Sequence, residues 1–283
     1  MTNEQKQQVK NALVRYALSF PTQTEAAANL TGVSAGTISQ IRNNNWDLVS
    51  DNMWQHVARQ VGYYVATWAA ADTSTYMLLR ILLGDAQNYC MTYGIAIAKG
   101  LGKTFSATRF RQEHENVCYF SCNEVLSRRT FITALLHIEG LDATGSTIEL
   151  MEKFVKHITN KSAPIIILDD ADKLKDIVMH FAVTISNKLA GKAGVILLGG
   201  KELRTKILDG VRLKKEGFDE IYKTIGRRFV TLDECSAKDI ELVCSANGVH
   251  DLDLVKFIIT ECKGNLHVAT RLIQQSTLQK IAA

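Results

Sequence analysis

The segment GIAIAKGLGKTFSA, residues 94–107, contains the residue types of a phosphate-binding loop. The pattern G-x-x-x-x-G-K-[ST] ends here with Gly102, Lys103 and Thr104, although Ile97 stands where the pattern has its first glycine. Such glycines let several backbone N–H groups point at one anion, and the helix that follows adds its positive N-terminal end. The lysine would contact the β- and γ-phosphates of ATP, and the threonine would ligate Mg²⁺. The nucleotide-contacting residues predicted in this loop are Ala98, Lys99, Gly100, Leu101, Gly102, Lys103, Thr104 and Phe105.

A second motif with reactive side chains follows in APIIILDDADKL, residues 163–174, where an apolar run ends in Asp169 and Asp170. A buried parallel strand delivers such carboxylates to its carboxyl end, which is the edge where parallel sheets bind ligands. Asp169 would hold Mg²⁺ through water, and Asp170 would orient and deprotonate the attacking water. Paired aspartates after a strand also occur as helix N-caps. Two such elements in this order, about 65 residues apart, favour a nucleotide site.

These side chains must be positioned by the elements around them, and the core of the chain alternates strand-like apolar runs with helical patterns. The strand-like runs are MTYGIAIA, NVCYFSC, PIIILDD, GVILLGG and RRFVTL. This alternation predicts an α/β fold with a mostly parallel sheet covered on both faces. We expect three regions: a helical module over residues 1–63, an α/β core over 64–232 and a helical C-terminal region over 233–283.

The N-terminal segment TEAAANLTGVSAGTISQIRNN, residues 24–44, has the spacing of a helix-turn-helix. Ala28 is the small residue expected between the two helices, Gly32 permits a left-handed turn, and Val33, Ile38 and Ile41 are the expected core. Polar side chains on the second helix can reach base edges or phosphates. The predicted DNA contacts are Ser34, Ala35, Thr37, Gln40 and Arg42. The alternative is a helical pair that docks another protein.

The net charge is +4, and it is unevenly placed. Between Lys188 and Arg228 there are eleven lysines and arginines against five aspartates and glutamates. This local excess indicates a surface for a polyanion, although a solvated helical face has the same composition.

Composition also excludes some classes of protein. Hydrophobic residues make up 46% of the chain, which predicts a packed core rather than disorder. The sequence has no uncharged apolar run of about 18 residues, so no membrane span is expected, and its N-terminal segment does not resemble a signal peptide. The six cysteines include no C-x-x-C pair, which favours reduced thiols in the cytoplasm over a zinc site.

The motifs GLGKT, IIILDDADKL and GVILLGGKELRTKIL together resemble those of the AAA+ ATPases of transposition and secretion. The segment after the fourth strand matches at Gly200, Leu203 and Arg204. The resemblance implies a P-loop core with a small helical lid over roughly residues 75–280. It further implies that GRRF supplies an arginine finger and that GNLHVATRLI carries the second sensor. The residues to which it gives these roles are Arg227, Arg228, His267 and Arg271.

Three positions depart from the family pattern. Asp170 stands where the family usually has glutamate, residues 198–200 offer no polar side chain for the first sensor, and His267 replaces the second sensor's arginine. Together these departures predict slow, partner-dependent hydrolysis and secure nucleotide binding.

A helix-turn-helix module before this core is similar to the organisation of the phage Mu B transposition protein family. That resemblance implies an ATP-dependent protein that oligomerises on double-stranded DNA with little sequence preference, as a homo-oligomer or filament. It would deliver the DNA to a cognate transposase and stimulate strand transfer in a bacterial or phage-infected cell. In such relatives the ATPase core grips the DNA backbone. The core residues that would do so here are Lys188, Lys192, Lys201, Arg204 and Lys206.

Three other functions remain open from the sequence. A helicase loader or replication initiator would have the same fold. A transcription regulator would carry its DNA specificity in residues 24–44 and use the nucleotide core as a switch. A secretion ATPase is less favoured, since neither a membrane span nor a peptidoglycan-binding module is recognised.

Overall fold

The computed structural model describes residues 3–61, 68–232 and 234–282, with the side chains of residues 3–5 and 277–282 left aside. The chain divides into two compact units, Met1–Ala69 and Ala70–Ala283. The boundary expected after residue 63 lies outside the described residues, as does residue 233, the expected start of the C-terminal region.

The first unit is helical, and its helix starts are fixed by local side-chain caps. Its elements are α1 (Asn3–Leu18), α2 (Gln23–Ala28), α3 (Ala35–Arg42), a 3₁₀ helix (Trp46–Leu48) and α4 (Asp51–Gln60). The hydroxyls of Thr22, Ser34 and Ser50 accept backbone N–H groups at the starts of α2, α3 and α4. A small core holds the unit together, and its fully buried side chains include Val9, Leu13, Ile38, Ile41, Trp54 and Val57.

The helix-turn-helix is confirmed at the turn and corrected at one helix position. Gly32 has φ +67°, the left-handed conformation expected of it, and Val33 is buried. Ala28, however, is exposed, and the contacts expected of it are made by Ala26 and Ala27. Successive side chains of a helix are rotated by about 100°, so Ala28, one step beyond Ala27, lies away from the buried face.

The second unit contains a five-stranded parallel sheet in the order β2-β3-β4-β1-β5. The strands are β1 (Thr92–Ile97), β2 (Val117–Ser121), β3 (Ile165–Asp169), β4 (Gly194–Gly199) and β5 (Phe229–Leu232). Each of the five apolar runs thus contains one strand, and the mixed α/β fold with a parallel sheet is confirmed.

Helices cover both faces of this sheet. They are α5 (Ser74–Tyr89), α6 (Lys103–Glu113), α7 (Arg128–Ile138), α8 (Thr147–Thr159), α9 (Asp176–Lys188), α10 (Lys201–Arg212) and α11 (Phe218–Thr224). Alternate residues of β3 enter different cores: Ile165 and Ile167 pack with α5 and α6, whereas Ile166 and Leu168 pack with α7, α8 and α9. This alternation follows from the two-residue period of a strand and explains why β3 and β4 are buried throughout.

Three further helices complete the unit: α12 (Ala237–Ala246), α13 (Leu252–Cys262) and α14 (Leu266–Ala282). The carboxylate of Asp239 in α12 accepts hydrogen bonds from the backbone N–H and hydroxyl of Ser74, at 2.6 and 3.0 Å, and so links α12 to the start of α5. All six cysteines are free. Within the described ranges, no helix is long and apolar enough to cross a membrane.

Candidate functional site

The carboxyl ends of β1, β3 and β4 meet at one edge of the sheet, since the three strands are neighbours and parallel. The loop 98–102 follows β1, Asp170 follows β3 and Gly200 follows β4. Parallel sheets bind ligands at this edge. The fold therefore brings together the glycine-rich loop and the paired aspartates, which the sequence analysis identified as separate motifs.

The loop after β1 curls at two glycines. Gly100 has φ +80° and Gly102 has φ +84°, conformations that glycine adopts without steric cost. Ile97 is still part of β1, its side chain is fully buried, and it pairs with Leu232 of β5. A glycine is not needed at this position, because the chain is still extended there and turns only after it.

Lys103 begins α6 and is 8% exposed. Its Nζ donates to the carbonyls of Ile97 and Ala98, at 3.0 and 3.1 Å, so the ammonium group lies across the loop. Burial lowers the pKa of Lys103, and the nearby carboxylates of Asp169 and Asp170 oppose that shift. A buried cation held by two carbonyls is well placed to exchange them for phosphate oxygens, which form stronger charge-assisted hydrogen bonds.

The two residues expected at Mg²⁺ are in direct contact. Thr104 donates its hydroxyl to Oδ2 of Asp169 at 2.7 Å. Asp169 is 1% exposed, and its Oδ1 accepts the backbone N–H of Asp170 at 2.9 Å. A hydroxyl and a carboxylate at the mouth of a phosphate loop are the oxygen donors that Mg²⁺ takes in nucleotide sites. The donor set present here fits the metal.

Asp170 lies at the same edge with a left-handed backbone, φ +55°. It precedes a 3₁₀ helix, Ala171–Lys173, but its side chain makes no capping hydrogen bond to that helix. Its carboxylate instead accepts from Nζ of Lys173 at 2.7 Å. The alternative role of Asp170 as a side-chain cap is therefore not what the geometry shows.

The end of β4, where the resemblance would place the first sensor, has little room for a side chain at Gly199. The backbone N–H of Gly200 donates to Oδ1 of Asp172 at 3.0 Å. A Cβ at Gly199 would lie 2.6 Å from that same Oδ1 and 2.9 Å from Cβ of Leu203. Asp172 thus occupies the space that a longer residue would need. The sequence reasoning missed Asp172, although it is the third carboxylate of the DDAD run.

The start of α14 contacts the phosphate loop. The N–H of Leu266 donates to the carbonyl of Gly100 at 2.7 Å. Oδ1 of Asn265 accepts from the N–H groups of His267 and Val268, at 3.0 and 3.3 Å. The Asn265 side chain lies where a Cβ on Gly100 would point. Sequence reasoning singled out His267 and Arg271 in this segment and missed Asn265, whose asparagine before a helical pattern is a recognisable cap.

His267 and Arg271 are both exposed and lie one turn apart on α14. Lys99 lies within the loop, and Phe105 lies in the first turn of α6. Lys99 forms an ion pair with Glu202 of α10 at 2.9 Å, and this hydrogen bond raises the pKa of the lysine. Phe105 packs its ring against Tyr76 of α5.

Arg227 and Arg228 lie at the amino end of β5, on the side of the sheet opposite the carboxyl ends of the strands. Both are exposed and immediately precede β5, whose Phe229 pairs with Gly94 of β1. At about 3.3 Å per residue, Arg228 is about 13 Å before the end of β1 along the strand direction. The structure therefore does not bring either arginine to its own phosphate loop.

The basic residues proposed for DNA in the core do not form one cluster. Lys188 ends α9 and Lys192 precedes β4, whereas Lys201 and Arg204 follow β4 on α10. The length of β4, about 17 Å, separates the two pairs. Lys206 contacts the Leu174 carbonyl and forms an ion pair with Asp176 at 3.4 Å.

On α3, several predicted DNA contacts also have structural partners. Oγ of Ser34 accepts the N–H of Thr37 at 3.0 Å as the helix cap. Arg42 donates to Oε1 of Gln23 at 3.0 Å, and the Gln23 amide donates to the carbonyl of Ala35 at 2.6 Å. Ser34 and Arg42 are exposed, while Ala35, Thr37 and Gln40 are half-buried.

Comparisons with known proteins bear on this core. A solved structure described as "Structure of Drosophila ORC bound to DNA" aligns with a TM-score of 0.46 and 17% sequence identity. The alignment covers 74% of this chain, which spans 60% of the length of that one. No curated protein gives a significant sequence match. Residues 97–207, from the end of β1 into α10, match the family model for the AAA domain. The segment that carries the phosphate loop, Asp169 and Asp170 is therefore similar to AAA domains.

Proposed function

We propose that this protein binds ATP with Mg²⁺ at the carboxyl edge of its sheet and hydrolyses it slowly. The observation that carries the proposal is the 2.7 Å hydrogen bond between Thr104 and Asp169, beside the buried Nζ of Lys103. It joins the start of α6 to the end of β3 through a hydroxyl and a carboxylate, the kinds of side chain that hold Mg²⁺ in P-loop nucleotide sites. The AAA-domain match over residues 97–207 supports the same function.

Each residue of the site has a task in this proposal. Lys103 and the N–H groups of the loop bind the phosphates, and Thr104 and Asp169 hold the metal. Bound Mg²⁺ supplies neutralisation of the charge that develops on the transferring phosphoryl group. Asp170 orients the attacking water and takes its proton.

Slow hydrolysis follows from the same geometry. The Asp170 carboxylate is one methylene shorter than glutamate and is paired with Lys173. Gly199 cannot carry a polar side chain without displacing Asp172. The site therefore has few groups of its own to stabilise the transition state.

An arginine from a second copy would supply what is missing. Arg227 and Arg228 are exposed and lie at the sheet edge opposite their own loop. We propose that ATP lies between subunits and that one of these arginines contacts the γ-phosphate bound to the neighbouring copy.

We further propose that ATP-bound copies assemble as an oligomer or filament on double-stranded DNA with little sequence preference. In this proposal the assembly delivers DNA to a cognate transposase and stimulates strand transfer. The resemblance of the motifs and of the helix-turn-helix supports this role. Lys201 and Arg204, which follow β4 on α10, would contact phosphates, which carry no sequence information.

A second candidate is a regulator that reads a particular DNA sequence through α3. The separate compact unit Met1–Ala69, with its own core and an exposed Arg42 on α3, favours it. A helicase loader or replication initiator would share the ATPase core.

DNA binding by a variant lacking residues 1–69 separates these candidates, because Ala70–Ala283 is a compact unit of its own. With ATP, we expect it to bind random-sequence duplexes more weakly than the full chain but with the same indifference to sequence. Loss of all DNA binding, with an operator preference in the full chain, would favour the regulator.

The salt dependence of DNA binding by the full chain tests which basic residues contact phosphates. We expect Lys201→Ala with Arg204→Ala to reduce the slope of log affinity against log salt by about two phosphate contacts. The matched control at the opposite edge is Lys188→Ala with Lys192→Ala.

A further inference from the structure

Tyr119 is the residue of β2 that reaches the proposed metal site. Its hydroxyl donates to Oδ2 of Asp169 at 2.9 Å, from the strand that pairs with β3. On this contact we propose that Tyr119 is a positioning residue that fixes the Asp169 carboxylate for Mg²⁺. The inference rests on the proposed nucleotide function and adds a residue that no sequence motif contains.

The hydrogen bonds of Asp169 show what Tyr119 contributes. Oδ1 is held by the N–H of Asp170, and Oδ2 receives the hydroxyls of both Thr104 and Tyr119. A carboxylate that is 1% exposed needs such donors, since water cannot supply them. Thr104 is itself an expected ligand of the metal. Tyr119 is therefore the side-chain donor that can orient Asp169 without also binding Mg²⁺.

Each oxygen of an ionised carboxylate has about two lone-pair sites, and Oδ2 of Asp169 accepts from both Thr104 and Tyr119. Oδ2 can therefore keep the bond from Tyr119 and face a metal once the Thr104 hydroxyl turns to ligate that metal. Outer partners of this kind orient metal-binding carboxylates, and their loss typically costs about 10- to 100-fold in metal affinity. The Tyr119 phenol can donate this hydrogen bond at physiological pH, as tyrosine hydroxyls ordinarily do.

The Tyr119 ring is half-buried and packs against the core that contains Ile165 and Ile167. Phenylalanine would keep this packing and remove only the hydroxyl. A matched control is Tyr93→Phe, because Tyr93 is a half-buried tyrosine in β1 whose hydroxyl contacts Sδ of Met91 instead.

The experiment measures ADP affinity of the full-length protein across a Mg²⁺ titration and in EDTA. We expect Tyr119→Phe to raise the Mg²⁺ midpoint about 10-fold or more, with the affinity in EDTA unchanged. Mn²⁺ binding to the ADP complex, followed by electron paramagnetic resonance, should weaken by a similar factor. Tyr93→Phe should match the wild type in both measurements.

A double-mutant cycle shows whether Tyr119 acts through Asp169. In an Asp169→Asn background, Tyr119→Phe should have little further effect on the Mg²⁺ midpoint. An equal effect in both backgrounds, an unchanged midpoint, or an equal loss of affinity with and without Mg²⁺ would each overturn the inference. Failure of the wild type to bind ADP at all would refute the nucleotide function itself, which the same titration reports separately.

Discussion

The N–H of Leu266 donates a hydrogen bond to the carbonyl of Gly100, and the 2.7 Å contact joins the first turn of α14 to the phosphate loop. The neighbouring Asn265 closes the space above Gly100, where a Cβ would lie 2.5 Å from Cγ of the asparagine. Asn265 cannot move away at little cost, because its Oδ1 caps α14. The phosphate loop is therefore in direct contact with the start of α14.

Gly100→Ala should weaken ATP binding by 10-fold or more, because the new Cβ meets Asn265 and the residue must keep φ +80°. The control Gly140→Ala has the same backbone penalty, since Gly140 has φ +70°, but no atom of the residues that the structure describes lies within 4 Å of its Cβ position. We expect the control to lose about 1 kcal/mol of unfolding free energy and no ATP affinity. Equal ATP affinity in the two variants would show that Asn265 does not restrict the loop.

Asp170→Asn should stop hydrolysis and leave ATP binding within about twofold of the wild type, because the amide cannot accept the proton of water. The reverse experiment is Asp170→Glu, which extends the carboxylate by one methylene and should speed hydrolysis. Single-turnover assays with matched protein concentrations measure both. Hydrolysis by Asp170→Asn at the wild-type rate would assign the base to another residue.

The sheet and the phosphate loop could be predicted from the sequence, because both are recognisable from short local patterns. Strands buried on both faces are continuous apolar runs, so β3 and β4 stand out in the sequence. The loop is a local structure whose glycines and lysine lie within a few residues of one another. The strands and the loop are thus both determined by residues that are close together in the sequence.

The positions of Tyr119, Asp172 and Asn265 in the site could not be predicted from the sequence, because the site residues that they contact, Asp169, Gly200 and Gly100, are distant along the chain. Tyr119 lies 50 residues from Asp169, and Gly200 lies 28 residues from Asp172. The basic segment 188–228 failed as a single surface for a related reason. An excess of charge in the sequence does not show that β4 separates Lys188 and Lys192 from Lys201 and Arg204.

Stability should fall at acid pH as Asp239 becomes protonated. Burial alone would raise the pKa of this carboxyl, but hydrogen bonds from Ser74 and Ser236 outweigh burial and hold the pKa below its usual value. A depressed pKa in the folded state adds stability above the unfolded pKa, about 4, and this is lost as pH falls through the folded value. Urea unfolding at pH 7 and pH 3 measures the difference.

Asp239→Asn should remove this pH dependence and cost about 1–3 kcal/mol at pH 7, because the amide nitrogen cannot accept the hydrogen bonds of Ser236. The control Asp253→Asn changes an exposed aspartate in the first turn of α13. A loss of acid sensitivity in both variants would show that the effect is general charge repulsion.

The arginine proposal makes a prediction about mixed subunits. Replacing both Arg227 and Arg228 by alanine should lower hydrolysis by about 10³-fold and leave ATP affinity unchanged. Mixing this variant with Lys103→Ala should restore part of the activity, because one composite site then has an intact loop and an intact arginine. If no mixture of folded, associating subunits regains hydrolysis, the site is not shared.

The most direct test of the nucleotide site compares two lysines of the same loop. Lys103 lies buried across the loop, while Lys99 is exposed and paired with Glu202. Calorimetric titration with Mg²⁺–ATP should show affinity about 10- to 100-fold weaker for Lys103→Ala, and nearly wild-type affinity for Lys99→Ala. ATP-dependent assembly on random-sequence DNA should fail with Lys103→Ala alone. Unchanged ATP affinity in a folded Lys103→Ala protein would contradict the site.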